Sequence, residues 1–145
     1  MQEQLKLGNQ LCFRFYTLTR LITQAYRPLL QPLGLTYPQY IVMLVLWEKD
    51  HQTVGDICRR LMLDTNTLTP LLQRMEREGL VVRSHGIADG RQTLVSLTKK
   101  GHHMEEQAAT IPECMTQNWH GEDLSINQIA TLTSQIDMLI DGLQK

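Results

Sequence analysis

Three cysteines, Cys12, Cys58 and Cys114, are the side chains of this 145-residue chain best equipped for covalent chemistry. They stand far apart and are odd in number, which argues against a secreted disulfide framework and against a CxxC-type metal site; they read as thiols of a reducing compartment. A thiol attacks an electrophile as the thiolate, so a reactive cysteine needs access and donors that stabilise the anion, a task tyrosine hydroxyls can perform. Cys12 stands beside Phe13 and Phe15 on an amphipathic stretch, so its surroundings should be partly apolar. From the residues alone, a lone cysteine on such a helix reads first as a small buried hydrophobe. Cys58 keeps that reading. His102, His103 and His120 with Cys114 match no standard metal spacing, so neither a metal nor a cofactor is expected.

A second group of residues suits recognition rather than covalent chemistry. From Asp64 to Arg77 a helical wheel places Leu68, Leu71, Leu72 and Met75 on one face. Asn66, Pro70, Gln73, Arg74 and Arg77 fall opposite, with Thr67 and Thr69 on the flanks and Thr65 at the opening. Asn and Gln can pair bidentately with adenine, Arg with guanine or phosphate, and Thr with phosphate or a thymine methyl, while the helix N-terminus itself favours phosphate. An ordinary solvated face is the competing reading, but the N-terminal half of this one carries no acid beyond the capping Asp64. Further on, Arg83 and Arg91 flank a polar turn, where a long cation can reach a minor groove and Asp89 can hold Arg91 by a charge-assisted hydrogen bond. The net charge of −1 offers no whole-molecule attraction to nucleic acid, so the case rests on this local clustering.

These groups need elements to hold them. Leu11, Phe15, Leu18, Ile22 and Leu29 recur at helical spacing, predicting one long amphipathic helix that ends near Pro32 to Gly34. Thr36 to Gln39 reads as a capping box opening a second helix that is apolar all round from Ile41 to Trp47 and therefore buried. Thr53 caps a short third helix, Met62 and Leu63 form a turn, and Asp64 caps the fourth helix, which Gly79 stops. The stretches 80–83 and 93–97 are β-like, with Gly86, Asp89 and Gly90 between them, and predict a two-stranded hairpin. Thr98 caps a fifth helix, and Ser125 to Gln128 is a second capping box before a final amphipathic helix. The fold class is thus mainly α with a two-stranded β-wing, a winged helix-turn-helix. Residues 35–100 form its DNA-binding region, and 1–34 with 101–145 form a helical dimerisation region. The first and last helices have apolar faces that the remaining chain is too short to cover, so a homodimer is expected. No run of eighteen apolar residues and no charged-then-apolar leader is present, which leads to the expectation of a cytoplasmic protein with no membrane partner.

The segments Leu63 to Glu76 (LDTNTLTPLLQRME), Gly79 to Arg83 (GLVVR), Asp89 to Arg91 (DGR) and Leu97 to Gly101 (LTKKG) together resemble the MarR family of dimeric repressors over essentially the whole chain. Asn9 to Phe13 (NQLCF), Tyr26 to Leu30 (YRPLL) and Leu35 to Tyr40 (LTYPQY) resemble its OhrR branch, whose members repress an organic-hydroperoxide resistance gene until a cysteine is oxidised. The resemblance reverses the reading of Cys12. It implies that Cys12 is the peroxide-reactive thiol, in a pocket at the dimer interface where Tyr26 and Tyr37 hydrogen-bond the thiolate and Tyr16 lines the wall. It also implies that the fourth helix enters the major groove of a pseudo-palindromic operator on double-stranded DNA, and that Arg91 is the minor-groove contact of the wing. Cys114 is the candidate resolving cysteine, with a small thiol as the alternative.

Three other readings compete. A related repressor gated by a small phenolic ligand would make Cys12 incidental, and a broader thiol-based oxidant sensor would respond to more than organic peroxides. A thiol peroxidase using Cys12 and Cys114 would be an enzyme, but the chain lacks a thioredoxin-like alternation of strands and helices. No enzymatic activity is expected.

Overall fold

The structure, a computed structural model, describes residues 1–85, 91–118 and 124–144. Helix α1 spans Leu11–Leu30, tightens into a 3-10 turn at Gln31–Leu33 and ends at Gly34, whose φ of 69° suits a residue without a Cβ. Helix α2, Tyr37–Glu48, opens with the predicted capping box: the Gln39 amide donates to Thr36 Oγ1 (3.3 Å) and the Thr36 amide to Gln39 Oε1 (3.1 Å). Val42, Met43 and Leu46 are wholly buried, so α2 is the central rod of the domain. Each such side chain contributes about 2 kcal/mol through burial.

Helices α3 (Val54–Leu61) and α4 (Thr65–Arg77) form the helix-turn-helix. Met62 takes a left-handed conformation between them, and the Leu63 amide closes the turn onto the Cys58 carbonyl (3.1 Å). The buried face of α4 is the predicted one, Leu68, Leu71, Leu72 and Met75. Gly79, with φ 77°, stops it, and the chain enters β2 (Val81–His85), which pairs with β3 (Thr93–Leu97) in antiparallel register, Arg83 opposite Val95.

The two-stranded wing expected from the sequence is incomplete. The sheet has three antiparallel strands in the order β1-β3-β2, because the two residues of β1, Gln52 and Thr53, pair with Val95 and Leu94. A two-residue strand has no readable period, and its inner position holds a polar residue: Gln52 is buried, donating to the Val45 carbonyl (2.9 Å) at the end of α2.

Thr98 caps α5 (Lys99–Ala108) as expected, accepting from the Gly101 amide (3.1 Å). A separate helix α6, Ile111–Asn118, follows with Pro112 in its first turn, a break the sequence reading did not name. Helix α7, Ile126–Leu143, opens with the predicted Ser125–Gln128 capping box. The chain divides into two compact units, Met1–Pro112 and Glu113–Lys145. In the first, α1 buries only Leu30 and leaves Leu11, Phe13, Leu18 and Leu21 exposed; in the second, α7 buries no residue and exposes Leu132, Met138, Leu139 and Leu143. No single helix among the described residues is long and apolar enough to cross a membrane.

Candidate nucleic-acid interface and thiol site

The solvent face of α4 is held ready by its cap. Asp64 Oδ1 accepts from the Thr67 amide (2.8 Å), and the Thr67 hydroxyl and amide together hold the Asp64 carboxyl below the usual carboxylate range. The acid at the head of the helix is therefore spent on the backbone, where an anion complements the helix dipole. Thr65, Asn66, Thr67, Pro70, Gln73, Arg74 and Arg77 are exposed and Thr69 half-buried, as the wheel predicted.

Glu76, also on α4, is turned toward the hairpin. It accepts from the Arg83 amide (2.9 Å) and from the Arg83 guanidinium (3.2 Å), and these bonds, the amide first, hold its carboxyl below its ordinary value. Arg83 thus braces β2 against α4 with a side chain only 26% exposed. Arg91 is exposed, and with Arg59, Arg83, Thr65 and Thr69 it lines an open cleft of about 580 Å³ between α3, α4 and the hairpin. Asp89, with the rest of the hairpin tip, lies outside the described residues.

The residues expected around the sensor divide into two places. Cys12 is exposed in the first turn of α1, and Tyr16, one turn on, is 69% exposed. Tyr26 lies in the last turns of the same helix, where its ring meets that of Tyr37, the first residue of α2, at 4.9 Å between centroids. Burial, then the neighbouring Tyr37, pushes the Tyr26 hydroxyl above its ordinary pKa, so it stays protonated and able to donate at neutral pH. Fourteen residues separate Cys12 from Tyr26 along one helix, a rise of about 21 Å. Within one chain, then, Tyr26 and Tyr37 come together and Cys12 stays apart from them.

Tyr40 was missed by the sequence reading. It is 2% exposed and packs under both partners, 5.6 Å from Tyr26 and 6.2 Å from Tyr37, with Trp47 6.5 Å away on its other side. Its position three residues after Tyr37, one turn along α2, was the available signal. Burial, followed by Tyr26 and Tyr37, raises its hydroxyl pKa as well.

Cys58 is buried, with its sulfur 4.0 Å from Thr65 Oγ1, a packing position under the head of α4. Cys114 is half-buried on α6. Among the described residues no three His, Cys, Asp or Glu side chains could hold a metal ion together; His120 lies outside them.

A helix-turn-helix whose second helix runs into a β-hairpin defines the winged helix-turn-helix class of DNA-binding proteins. The family profile described as transcriptional regulator SarA/Rot matches residues 24–107. The organic hydroperoxide resistance transcriptional regulator of Bacillus subtilis is 44% identical over 84% of this chain and 84% of its own. The chain belongs to the MarR family of transcriptional regulators and is similar to the organic hydroperoxide resistance regulators within it. Among solved structures, the regulator AbfR of Staphylococcus epidermidis matches in several states. In its reduced form bound to DNA it is 36% identical, covering 99% of each chain with a TM-score of 0.82. The overoxidised form, also bound to DNA, is 37% identical over 98% of each chain at 0.78. Its disulfide form is 36% identical, covers 99% of this chain and 97% of its own, and scores 0.67.

Proposed function

We propose that the chain is a homodimeric repressor that binds a pseudo-palindromic operator and leaves it when an organic hydroperoxide oxidises Cys12. The observation that carries this reading is an exposed thiol at Cys12 in a chain 44% identical to an organic hydroperoxide resistance regulator. Two copies are needed for chemistry as well as for DNA. Because Cys12 and the Tyr26–Tyr37 pair lie about 21 Å apart along α1, the hydroxyls that stabilise the thiolate come from the second copy, whose α1 runs alongside. The apolar residues exposed on α1 and α7 supply the contact area for that pairing.

In the DNA-bound state α4 lies in the major groove, with Asn66, Gln73, Arg74 and Arg77 toward the base edges and phosphates and Thr65, Thr67 and Thr69 toward the backbone. Pro70 contributes shape and Arg91 reaches the minor groove. Arg83, bound to Glu76, serves mainly to fix the wing.

Attack of the Cys12 thiolate on the distal peroxide oxygen cleaves the O–O bond, giving a sulfenate and, after protonation, an alcohol. The sulfenic acid then condenses with a second thiol to a disulfide and water. Overoxidised AbfR is seen bound to DNA, and of its three states the disulfide form is the least similar to this structure. Both observations favour disulfide formation, rather than the added oxygen, as the step that turns the reading heads away from half-sites about 34 Å apart. The partner thiol is Cys114 or a small cellular thiol. Peroxide is consumed stoichiometrically, so the protein acts as a switch and not as an enzyme, and its place of action is the cytoplasm.

Operator affinity titrated with cumene hydroperoxide in the presence of a small thiol tests this. Wild type is expected to release DNA near one equivalent per Cys12 and Cys12→Ser to hold it. Release by Cys12→Ser would hand the function to a ligand-gated repressor. Loss of release in Cys114→Ser without small thiol, restored by adding one, would identify Cys114 as the natural partner.

A further inference from the structure

Tyr26 and Tyr37 are not isolated from the reading head. Their rings rest on Tyr40, Tyr40 meets Trp47 edge-on at 6.5 Å, and the Trp47 indole donates to the Gly101 carbonyl (2.9 Å) in the first turn of α5. Gly101 in turn is pressed against the carbonyl of Leu80: a Cβ there would collide with that oxygen. The same carbonyl accepts from the Thr98 amide (3.1 Å), and Leu80 is the residue at which α4 hands over to the wing. Tyr40, Leu80 and Gly101 are buried and Trp47 is half-buried between them, so most of the run is packed against its neighbours, and a packed contact transmits a displacement rather than absorbing it.

From this juxtaposition we propose that Trp47 is the positioning residue that couples the thiol site to the DNA-reading head, through its hydrogen bond to Gly101. The proposal rests on the reading of Cys12 as the sensor. While the tyrosines hold the thiolate, the ring stack fixes Trp47 and with it the first turn of α5. When the disulfide forms and draws the Cys12 sulfur away from the tyrosines, their rings move, Trp47 follows, and α5 shifts against Leu80. Because Gly101 has no side chain to give way, α4 and the wing must turn with it. The path is a wired contact only if both ends bias it, which makes its test a measurement of coupling rather than of stability.

Trp47→Phe keeps an aromatic ring and removes the indole N–H. On the full-length dimer three quantities are measured: operator affinity of the reduced protein, the rate of Cys12 thiol loss with cumene hydroperoxide, and operator affinity after oxidation. Oxidation should weaken wild-type binding by roughly 5- to 150-fold, the ordinary range of coupling between sites. In Trp47→Phe the reduced affinity and the oxidation rate should stay close to wild type, while the oxidative loss of affinity shrinks to about twofold or less. A full wild-type loss of affinity in oxidised Trp47→Phe, or a slowed thiol reaction, would overturn the proposal. Should that variant fold poorly, Trp119→Phe leaves Trp47 as the only indole, and its fluorescence must shift when Cys12 is oxidised. An unchanged emission across a transition that releases DNA would equally overturn it. If wild type itself fails to release, or Cys12→Ser releases like wild type, the sensor reading has failed, which is a different result from lost coupling in Trp47→Phe alone.

Discussion

In the proposed sensor, the chemistry of Cys12 depends on groups that stay protonated beside a group that must not. Burial keeps the Tyr26 hydroxyl above its ordinary pKa, and a phenol in that state is a donor throughout the neutral range. A hydrogen bond to a charged acceptor is worth about 1.5–3 kcal/mol. Tyr26→Phe and Tyr37→Phe should each therefore slow the reaction of Cys12 with peroxide about tenfold or more at neutral pH. Alkylation of Cys12 by iodoacetamide as a function of pH reads the change directly, and an unaltered profile in both variants would remove the tyrosines from the site. The resemblance of their flanking residues singled out Tyr26 and Tyr37, whose rings meet, but not Tyr40. Inside an apolar helix a tyrosine reads as filler until its ring partners are known, and those partners come from another helix.

At the scale of elements, the capping residues were the most legible part of the chain. Thr36, Thr53, Asp64, Thr98 and Ser125 each accept the amide that their position predicts, because a cap is decided by residues three apart in sequence. What the sequence did not reveal depends on distant partners. Strand β1 exists through its pairing with β3, and α6 is a helix of its own, Ile111–Asn118, rather than a continuation of α5. A third such feature joins three elements at once. Asp50 follows α2, accepts from the amides of Leu97 (2.9 Å) and His51 (2.8 Å), and faces the imidazoles of His102 (3.1 Å) and His51 (3.6 Å). Burial pushes its carboxyl up, but the two amides and the two imidazoles outweigh it and the net pKa is lowered. Such a group stabilises the fold above its unfolded-state pKa, and the contribution is lost as pH falls through the lower folded value. Asp50→Asn should thus cost about 1–2 kcal/mol at pH 7, with the gap to wild type closing on acidification below about pH 4. Urea unfolding at a series of pH values measures it; a gap that stays constant or widens below about pH 4 would contradict the arrangement.

For the whole molecule, the decisive fact is the length of α1. Twenty residues of helix place Cys12 at one end and Tyr26 near the other, so on the proposed reading the thiol site is completed by a second copy, and the dimer that reads two half-sites is also the unit proposed to sense. The expectation of a second copy came from uncovered apolar faces; the proposal that this copy completes the chemistry arises only when helix length is set against the Tyr26–Tyr37 ring contact. A heterodimer pairing a Cys12→Ser chain with a Tyr26→Phe, Tyr37→Phe chain tests this most directly. Its only Cys12 belongs to the chain without the tyrosines and faces the intact pair of its partner. Near-wild-type oxidation of that cysteine, followed by operator release, is expected. A thiol that reacts as slowly as in the doubly substituted homodimer would mean that the tyrosines act within their own chain, and that the sensing site is not shared between two copies.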